Sequence, residues 1–440
     1  MKLAKFLVWV AVFAYSSFAG PVSYYGELQA DGNRLVGSKT GDKTVQIRGV
    51  SLGWSNSGWE SASFFNSTAV NAMVDEWKAD IIRVPIGYAE GGGYKNDASN
   101  LTRVKAAIDA AIAKDVYVII DWHSHNAHNE TSAATAFFSE MVQTYGEEDN
   151  VIFEIYNEPN CNDGTDNSSC AKTTWAEIKT YANAIIPIIR QYSNNLILVG
   201  TRHWSRRVDD VIGDEIDDDN VAYVLHFYAD NHFLDRSVVA LNDPAPSFRE
   251  VITQAMDAGL LVFISEYGTT DSNGGQGDKL NSHNPAHTDE WLEFMDEKKI
   301  SSCAWHVNNK NEGSAFFVSS FNPNTGDYAD KNSMKISGQY IYDKLNAYAQ
   351  TAEWRNPSPI LVTKPSLHWN VRVINNAVVL QVNTGTVKLE IFDSQGRSVQ
   401  TSRFFTDGKY MISLNNLPQG LYFAKASTGS EMQVIRVPVY

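Results

Sequence analysis

Cysteine, basic charge and long apolar runs are all scarce in this chain, and each scarcity excludes something. Three cysteines occur in 440 residues, too few for a disulfide framework to stand in for a hydrophobic core. Lysine and arginine number 36 against 51 acidic residues, a formal net charge of −15. That balance argues against nucleic acid or an anionic membrane as partner and suits a neutral substrate. Past the N-terminus no apolar run approaches the roughly 20 residues needed to cross a bilayer. A Gly-rich phosphate turn is also missing after the first apolar strand, where the chain reads GVSLGWSNSGW. Gly91-Gly92-Gly93 leads into a loop and reads as a flexible turn.

The first residues look like an address rather than part of the fold. Lys2 and Lys5 precede the apolar run Phe6–Tyr15, and Ser17-Phe18-Ala19 offers a small-x-small cleavage site. We read residues 1–19 as a secretory signal peptide; an uncleaved anchor is the alternative, and no cysteine follows for a lipoprotein. In an exported chain, Cys161 and Cys170, which bracket the polar stretch CNDGTDNSSC, read as a disulfide in preference to two free thiols. Cys303 lies in an apolar run and reads as a buried free thiol.

From Val45 onward short apolar runs recur: Val45–Val50, Ile81–Ile86, Val116–Trp122, Val151–Tyr156, Leu196–Gly200, Val221–Tyr228, Leu261–Glu266 and Ser301–Val307. Between most of them lie stretches of helical period, such as LTRVKAAIDAAIAK from Leu101 to Lys114. Eight strands alternating with helices predict a (β/α)8 TIM barrel, an α/β fold, over residues 20–353. A doubly wound open sheet is the rival. Pro357, Pro359 and Pro365 mark a linker over residues 354–366. Over residues 367–440 turn signals recur about every ten residues, which predicts a small all-β, immunoglobulin-like sandwich.

In such a barrel the working residues sit at the C-terminal ends of the strands. Those ends supply Arg83, Asp121-Trp122-His123, Asn157-Glu158, His226-Phe227-Tyr228, Glu266 and Trp305-His306. Two glutamates among aromatics and no demand for a cofactor or metal suggest glycoside hydrolysis, in which one carboxyl gives a proton while the other is ionised. Arg83 and the Tyr228 hydroxyl are suitable donors to Glu266, making it the nucleophile. Burial and a neighbouring carboxylate should raise the proton affinity of Glu158, making it the acid. Asn157 is placed to hold a sugar 2-hydroxyl. Of Trp54, Trp59, Trp204 and Trp305, all in mouth positions, we expect at least two to touch sugar faces; Trp77 and Trp175 fall on helices and should be core.

The motifs IIRVPIG, IIDWHSH, VIFEIYNEP, LHFY, VFISEYG and AWHVNNKNEGSAFF, in this order within residues 24–350, resemble glycoside hydrolase family 5, above all its bacterial endoglucanase branch. The resemblance implies a retaining enzyme on β-1,4-glucan with Glu158 as acid/base and Glu266 as nucleophile. It implies support from Arg83, His123, Asn157, His226, Tyr228 and Trp305, and a polar pair, Lys310 and Glu312, on the non-reducing-side glucose. One departure is the lack of a histidine in SLGWSNSGW, where some relatives carry one. Mannan, xyloglucan and mixed-linkage glucan remain alternative substrates, and a non-catalytic glycan-binding barrel is the rival of another class.

Several residues carry blander readings. His123, His125 and His128 lack the helical spacing of a zinc site. Glu154 shares side-chain parity with Glu158 and is expected to form a structural ion pair. The C-terminal module has two readings: a glycan-binding sandwich using Trp369, Phe404, Phe405 and Tyr410, or, as VKLEIFDSQGRSVQ and LPQGLYFAKASTG suggest by resemblance, a type IX (subtype A) sorting domain. We favour sorting, with secretion machinery as a further partner; the signal peptide implies a secreted or cell-surface protein, and we expect a monomer.

Overall fold

The computed structural model describes residues 20–160, 173–238, 245–275 and 283–355, and in the C-terminal part 369–374, 377–382, 387–393, 395–406, 408–427 and 432–439. The signal peptide, the Cys161/Cys170 stretch and most of the linker lie outside the described residues. The chain divides into two units between Asn356 and Pro357.

In the first unit a short helix, Pro21–Tyr25, precedes a hairpin of β1 (Leu28–Asp31) and β2 (Arg34–Gly37), turned by Gly32 at φ 58°. Among the described residues eight parallel strands follow: β3 (Arg48–Leu52), β4 (Ile81–Gly87), β5 (Tyr117–His123), β6 (Val151–Glu154), β7 (Ile197–Gly200), β8 (Val221–Tyr228), β9 (Val262–Gly268) and β10 (Ser302–Val307). They close into a barrel in chain order, β10 pairing back onto β3. Each apolar run of the sequence is one of these strands.

Strand alternation explains the two cores. Ile81, Tyr117, Ile119, Ile152, Leu198, Val224, Phe263 and Cys303 fill the barrel, with Tyr24, Tyr25 and Trp354 in the same cluster. Their neighbours Ile82, Val118, Ile120, Phe153, Val199, Leu225 and Ile264 face the outer helices. Those helices include Ser99–Ala113, Trp175–Arg190, Phe248–Asp257 and Pro285–Lys298. Two start at capping boxes, Thr174 with Glu177 and Ser247 with Glu250, which satisfy donors that the first turn leaves open. Trp175 and Trp77 are buried as expected, although Trp77 falls just past the helix Ser67–Asp75.

Trp354 and Arg355, which the proline pattern assigns to the linker, belong to the barrel unit. Trp354 packs in the barrel-floor cluster, and Arg355 Nη2 donates to Asp80 Oδ1 at 3.0 Å.

One irregularity, in β9, shapes the barrel mouth. Between Phe263 and Glu266 the strand carries one more residue than β8 does between Val224 and His226, a β-bulge. Regular alternation would send Ser265 and Glu266 to opposite faces; the bulge lets both reach the mouth.

Among the described residues the second unit is a sandwich of seven antiparallel strands: β11 (Trp369–Ile374), β12 (Ala377–Val382), β13 (Val387–Asp393), β14 (Ser398–Phe405), β15 (Gly408–Ser413), β16 (Gly420–Ser427) and β17 (Met432–Val439). Its sheets run β11-β12-β15 and β14-β13-β16-β17. Inward residues of both, such as Val371, Leu380, Leu389, Ala424 and Val437, form one core. Phe405 and Tyr410 pack against that core with ring centroids 4.7 Å apart.

Candidate active site

Arg83, on β4, is wholly buried and organises the barrel mouth. Its Nε donates to Glu154 Oε2 at 2.7 Å and its Nη2 to Glu154 Oε1 at 3.2 Å. The same Nη2 reaches Asn157 Oδ1 at 2.6 Å and Asp121 Oδ2 at 2.9 Å. Nη1 is left for Glu266 Oε2, at 2.9 Å. The expected ion pair of Glu154 therefore exists, and its partner is the same guanidinium that holds Glu266.

Three carboxylates share this one cation, so the cluster carries more negative charge than Arg83 neutralises. Burial, with Glu266 and Glu158 adding to it against Arg83, pushes Asp121 up to about 7. Burial likewise raises Glu154. Arg83 stays protonated, its carboxylate neighbours outweighing the cost of its burial.

Glu266 has a second donor, the Tyr228 hydroxyl, at 2.6 Å from Oε1. Burial, then the charges of Glu266 and Glu158, raise the Tyr228 hydroxyl well above its ordinary range, so it keeps its proton and donates. Glu266 thus accepts from one charged and one neutral donor, Arg83 and Tyr228.

Glu158 lies across the mouth. It, His226 and Glu266 each offer an oxygen or nitrogen within 4.8 Å of the others. His226 Nδ1 is 2.9 Å from Glu158 Oε1, and His125 Nε2 is 3.5 Å from Oε2. Burial pushes the carboxyl up, but the two imidazoles outweigh it and the net direction is down. This corrects the sequence-based expectation of a raised proton affinity, which takes no account of two histidines on one carboxylate.

His226 is itself held from behind. Its Nε2 lies 2.9 Å from Ser265 Oγ, which donates to Glu154 Oε1 at 2.7 Å. Ser265 has one proton, and Glu154 takes it, so His226 Nε2 must be the donor in its bond with Ser265. The sequence does not single out Ser265, because strict alternation from Glu266 would turn it away.

The remaining residues surround this pair. His123 Nδ1 lies 2.7 Å from Asp121 Oδ2; burial, then Arg83, lowers its basicity, so the ring is neutral. Its ring lies parallel to Trp305 at 5.5 Å between centroids and meets Trp54 edge-on at 4.2 Å. Trp59 lies beside Trp54 at 5.5 Å and is exposed. Trp204 meets His125 at 4.8 Å, on a turn where His203, Trp204 and Ser205 all have φ between 52° and 60°. Three successive left-handed non-glycine residues store strain, and such strain clusters at functional sites. Glu312 is buried between His306 Nε2 and Lys310 Nζ, each at 2.8 Å. His128 points elsewhere, with Nδ1 2.8 Å from the Tyr156 hydroxyl.

Comparison with known proteins agrees with this geometry. Residues 38–311 match the family described as Cellulase (glycosyl hydrolase family 5), and residues 374–439 match the Secretion system C-terminal sorting domain. Endoglucanase Z of Dickeya dadantii is 37% identical over 328 residues, spanning 74% of this chain and 67% of the relative. Cellulase CelDZ1 of a Thermoanaerobacterium species is 35% identical, over 72% and 80%. Among solved structures, the endoglucanase Cel5A catalytic domain of Thermobifida fusca covers 74% of this chain and 99% of its own, at 29% identity and a TM-score of 0.64. A structure from Cytophaga hutchinsonii covers 75% and 97% at 36% identity and a TM-score of 0.65. The tail match decides between the two readings of the module in favour of sorting, and marks a secreted or cell-surface protein. The chain belongs to glycosyl hydrolase family 5, the cellulase family.

Proposed function

We propose that the chain is a secreted endo-β-1,4-glucanase that cleaves internal bonds of cellulose or related β-glucans with retention of configuration. The observation that carries this reading is the close approach of Glu158 and Glu266, whose oxygens, with His226, lie within 4.8 Å. Retaining enzymes hold their carboxyl groups about 5–5.5 Å apart, whereas inverting ones leave about 6.5–9.5 Å for a water. The names of the relatives, endoglucanase and cellulase, support the substrate.

In the first step an oxygen of Glu266 attacks the anomeric carbon and the glycosidic C–O bond breaks. Glu158 gives a proton to the departing oxygen. When Glu158 carries that proton, its carboxyl O–H donates to His226 Nδ1, the acceptor nitrogen of a ring whose Nε2 is committed as donor to Ser265, so the proton stays on Glu158 for delivery. In the second step Glu158 removes a proton from water, which attacks the anomeric carbon and frees Glu266.

Asn157 presents its amide to the sugar. Its Oδ1 is taken by Arg83, while the buried Nδ2 has no partner among the described residues, which fits a donor to the 2-hydroxyl. His123 and Trp305 form the floor beside the nucleophile; Trp54, Trp59 and Trp204 supply sugar platforms; Lys310 and Glu312 bind the non-reducing-side glucose. The enzyme works as a monomer, with polysaccharide and the secretion machinery as its partners.

The test compares wild type with Glu266→Ala and Glu158→Gln on soluble cellulose, mannan and xyloglucan, following reducing ends and the first anomer released. Glu266→Ala should lose about 10⁴-fold or more in turnover. Preference for mannan or xyloglucan would replace the substrate, and an inverted first product would remove the mechanism.

A further inference from the structure

His125 is the one of the two imidazoles on Glu158 that the mechanism leaves without a task. Its side chain is 26% exposed, whereas that of His226 is buried. Its place is fixed through the backbone. Asn157 N, Glu158 N and Asn160 N donate to Trp122 O, Ser124 O and His125 O at 3.2–3.3 Å. These bonds carry the β5·β6 pairing beyond the end of β6, so the separation between His125 and Glu158 is set by backbone hydrogen bonds. The Tyr156 hydroxyl, 3.1 Å from His125 O, adds a second anchor.

Side-chain packing fixes the ring as well. Trp54 and Trp204 meet it edge-on from different loops, at 5.7 and 4.8 Å between centroids. Trp204 is in turn tied to the Glu158 segment, its N–H donating to Pro159 O at 3.0 Å. A loop and a strained turn therefore converge to hold one imidazole against Glu158 Oε2.

We propose that His125 is a positioning residue for Glu158, orienting its free oxygen and setting the pH at which the acid loses its proton. The proposal rests on Glu158 being the acid/base. The titratable groups around His125 are Glu158 at the end of β6, Glu90 in the loop after β4, Glu266 on β9 and His123 on its own strand. Burial lowers the affinity of His125 for its proton, but the carboxylates outweigh burial and the net direction is up. A protonated or donating His125 favours the ionised form of Glu158, which helps the water-activating step and opposes the proton-donating one. Removing it should let Glu158 keep its proton to higher pH.

The test measures kcat/KM against pH on an aryl β-cellobioside with a poor leaving group, for wild type, H125Q and H125F. The alkaline limb of H125F should move up by about one pH unit, and that of H125Q by less because the amide still donates. Thermal unfolding is followed alongside; if H125F does not fold, the H125Q profile decides. Folded variants whose alkaline limb coincides with wild type, whatever their loss of rate, overturn the proposal. Glu158→Gln with azide on an activated aryl cellobioside separates the two levels, since azide needs no general base. Azide rescue with an unmoved limb removes only the role of His125. Failure of rescue removes the acid/base role of Glu158 and this proposal with it.

Discussion

Arg83 grips Glu154 through two N–H···O contacts, 2.7 and 3.2 Å long, with both side chains wholly buried. The pair aims the remaining guanidinium nitrogen, Nη1, at Glu266. Glu154→Gln keeps the shape but removes the charge. Breaking a buried pair from one side costs about 3–5 kcal/mol, to be read in urea unfolding. Turnover should fall about 100-fold as Arg83 loses its aim. A variant with wild-type turnover would reduce Glu154 to a spectator.

Ser265 links Glu154 to His226. Ser265→Ala strands two buried polar atoms, so stability should drop by about 1–3 kcal/mol. With the His226 proton no longer fixed on Nε2, kcat should fall while KM changes little, because Ser265 does not line the sugar platforms. Steady-state kinetics on a soluble β-glucan would show this split; a change in KM alone would contradict it.

These two residues also mark the limit of what the sequence discloses. The barrel is legible because each strand is a closed apolar run, and Glu158 and Glu266 stand out as charges at the ends of such runs. Glu154 is noticeable by parity, but its partner Arg83 is 71 positions away and nothing local points to it. Ser265 is hidden by the β9 bulge, since the residues before Glu266 in VFISEYG include no glycine or proline to announce one. His125 reads only as part of a rejected metal site, because DWHSH does not show that Glu158 lies across the next strand. The direction of the Glu158 shift is missed for the same reason. Long-range neighbours, invisible in a linear pattern, decide it.

At the other end of the barrel, Asp80 is wholly buried and pushed up to about 6, first by burial, with Arg355 pulling the other way. The folded chain holds this proton more tightly than the unfolded one, whose value is about 3.9. That contribution to stability is complete below the unfolded value and is lost as pH rises through about 6. Arg355→Ala should therefore cost more at pH 7, where Asp80 is ionised without its partner, than at pH 5. The loss at pH 7 should be about 3 kcal/mol. Equal losses at the two pH values, from chemical unfolding, would contradict the pairing.

That Glu266 bonds to the sugar while Glu158 handles protons is tested most directly by trapping the covalent species. A 2-deoxy-2-fluoro β-cellobioside with a dinitrophenolate leaving group slows both steps, yet lets the first proceed without acid help. Mass spectrometry of the digested enzyme should find one fluorocellobiosyl group on the peptide containing Glu266, and none on the peptide containing Glu158. An adduct on Glu158, or time-dependent turnover with no adduct at all, would contradict this division of roles.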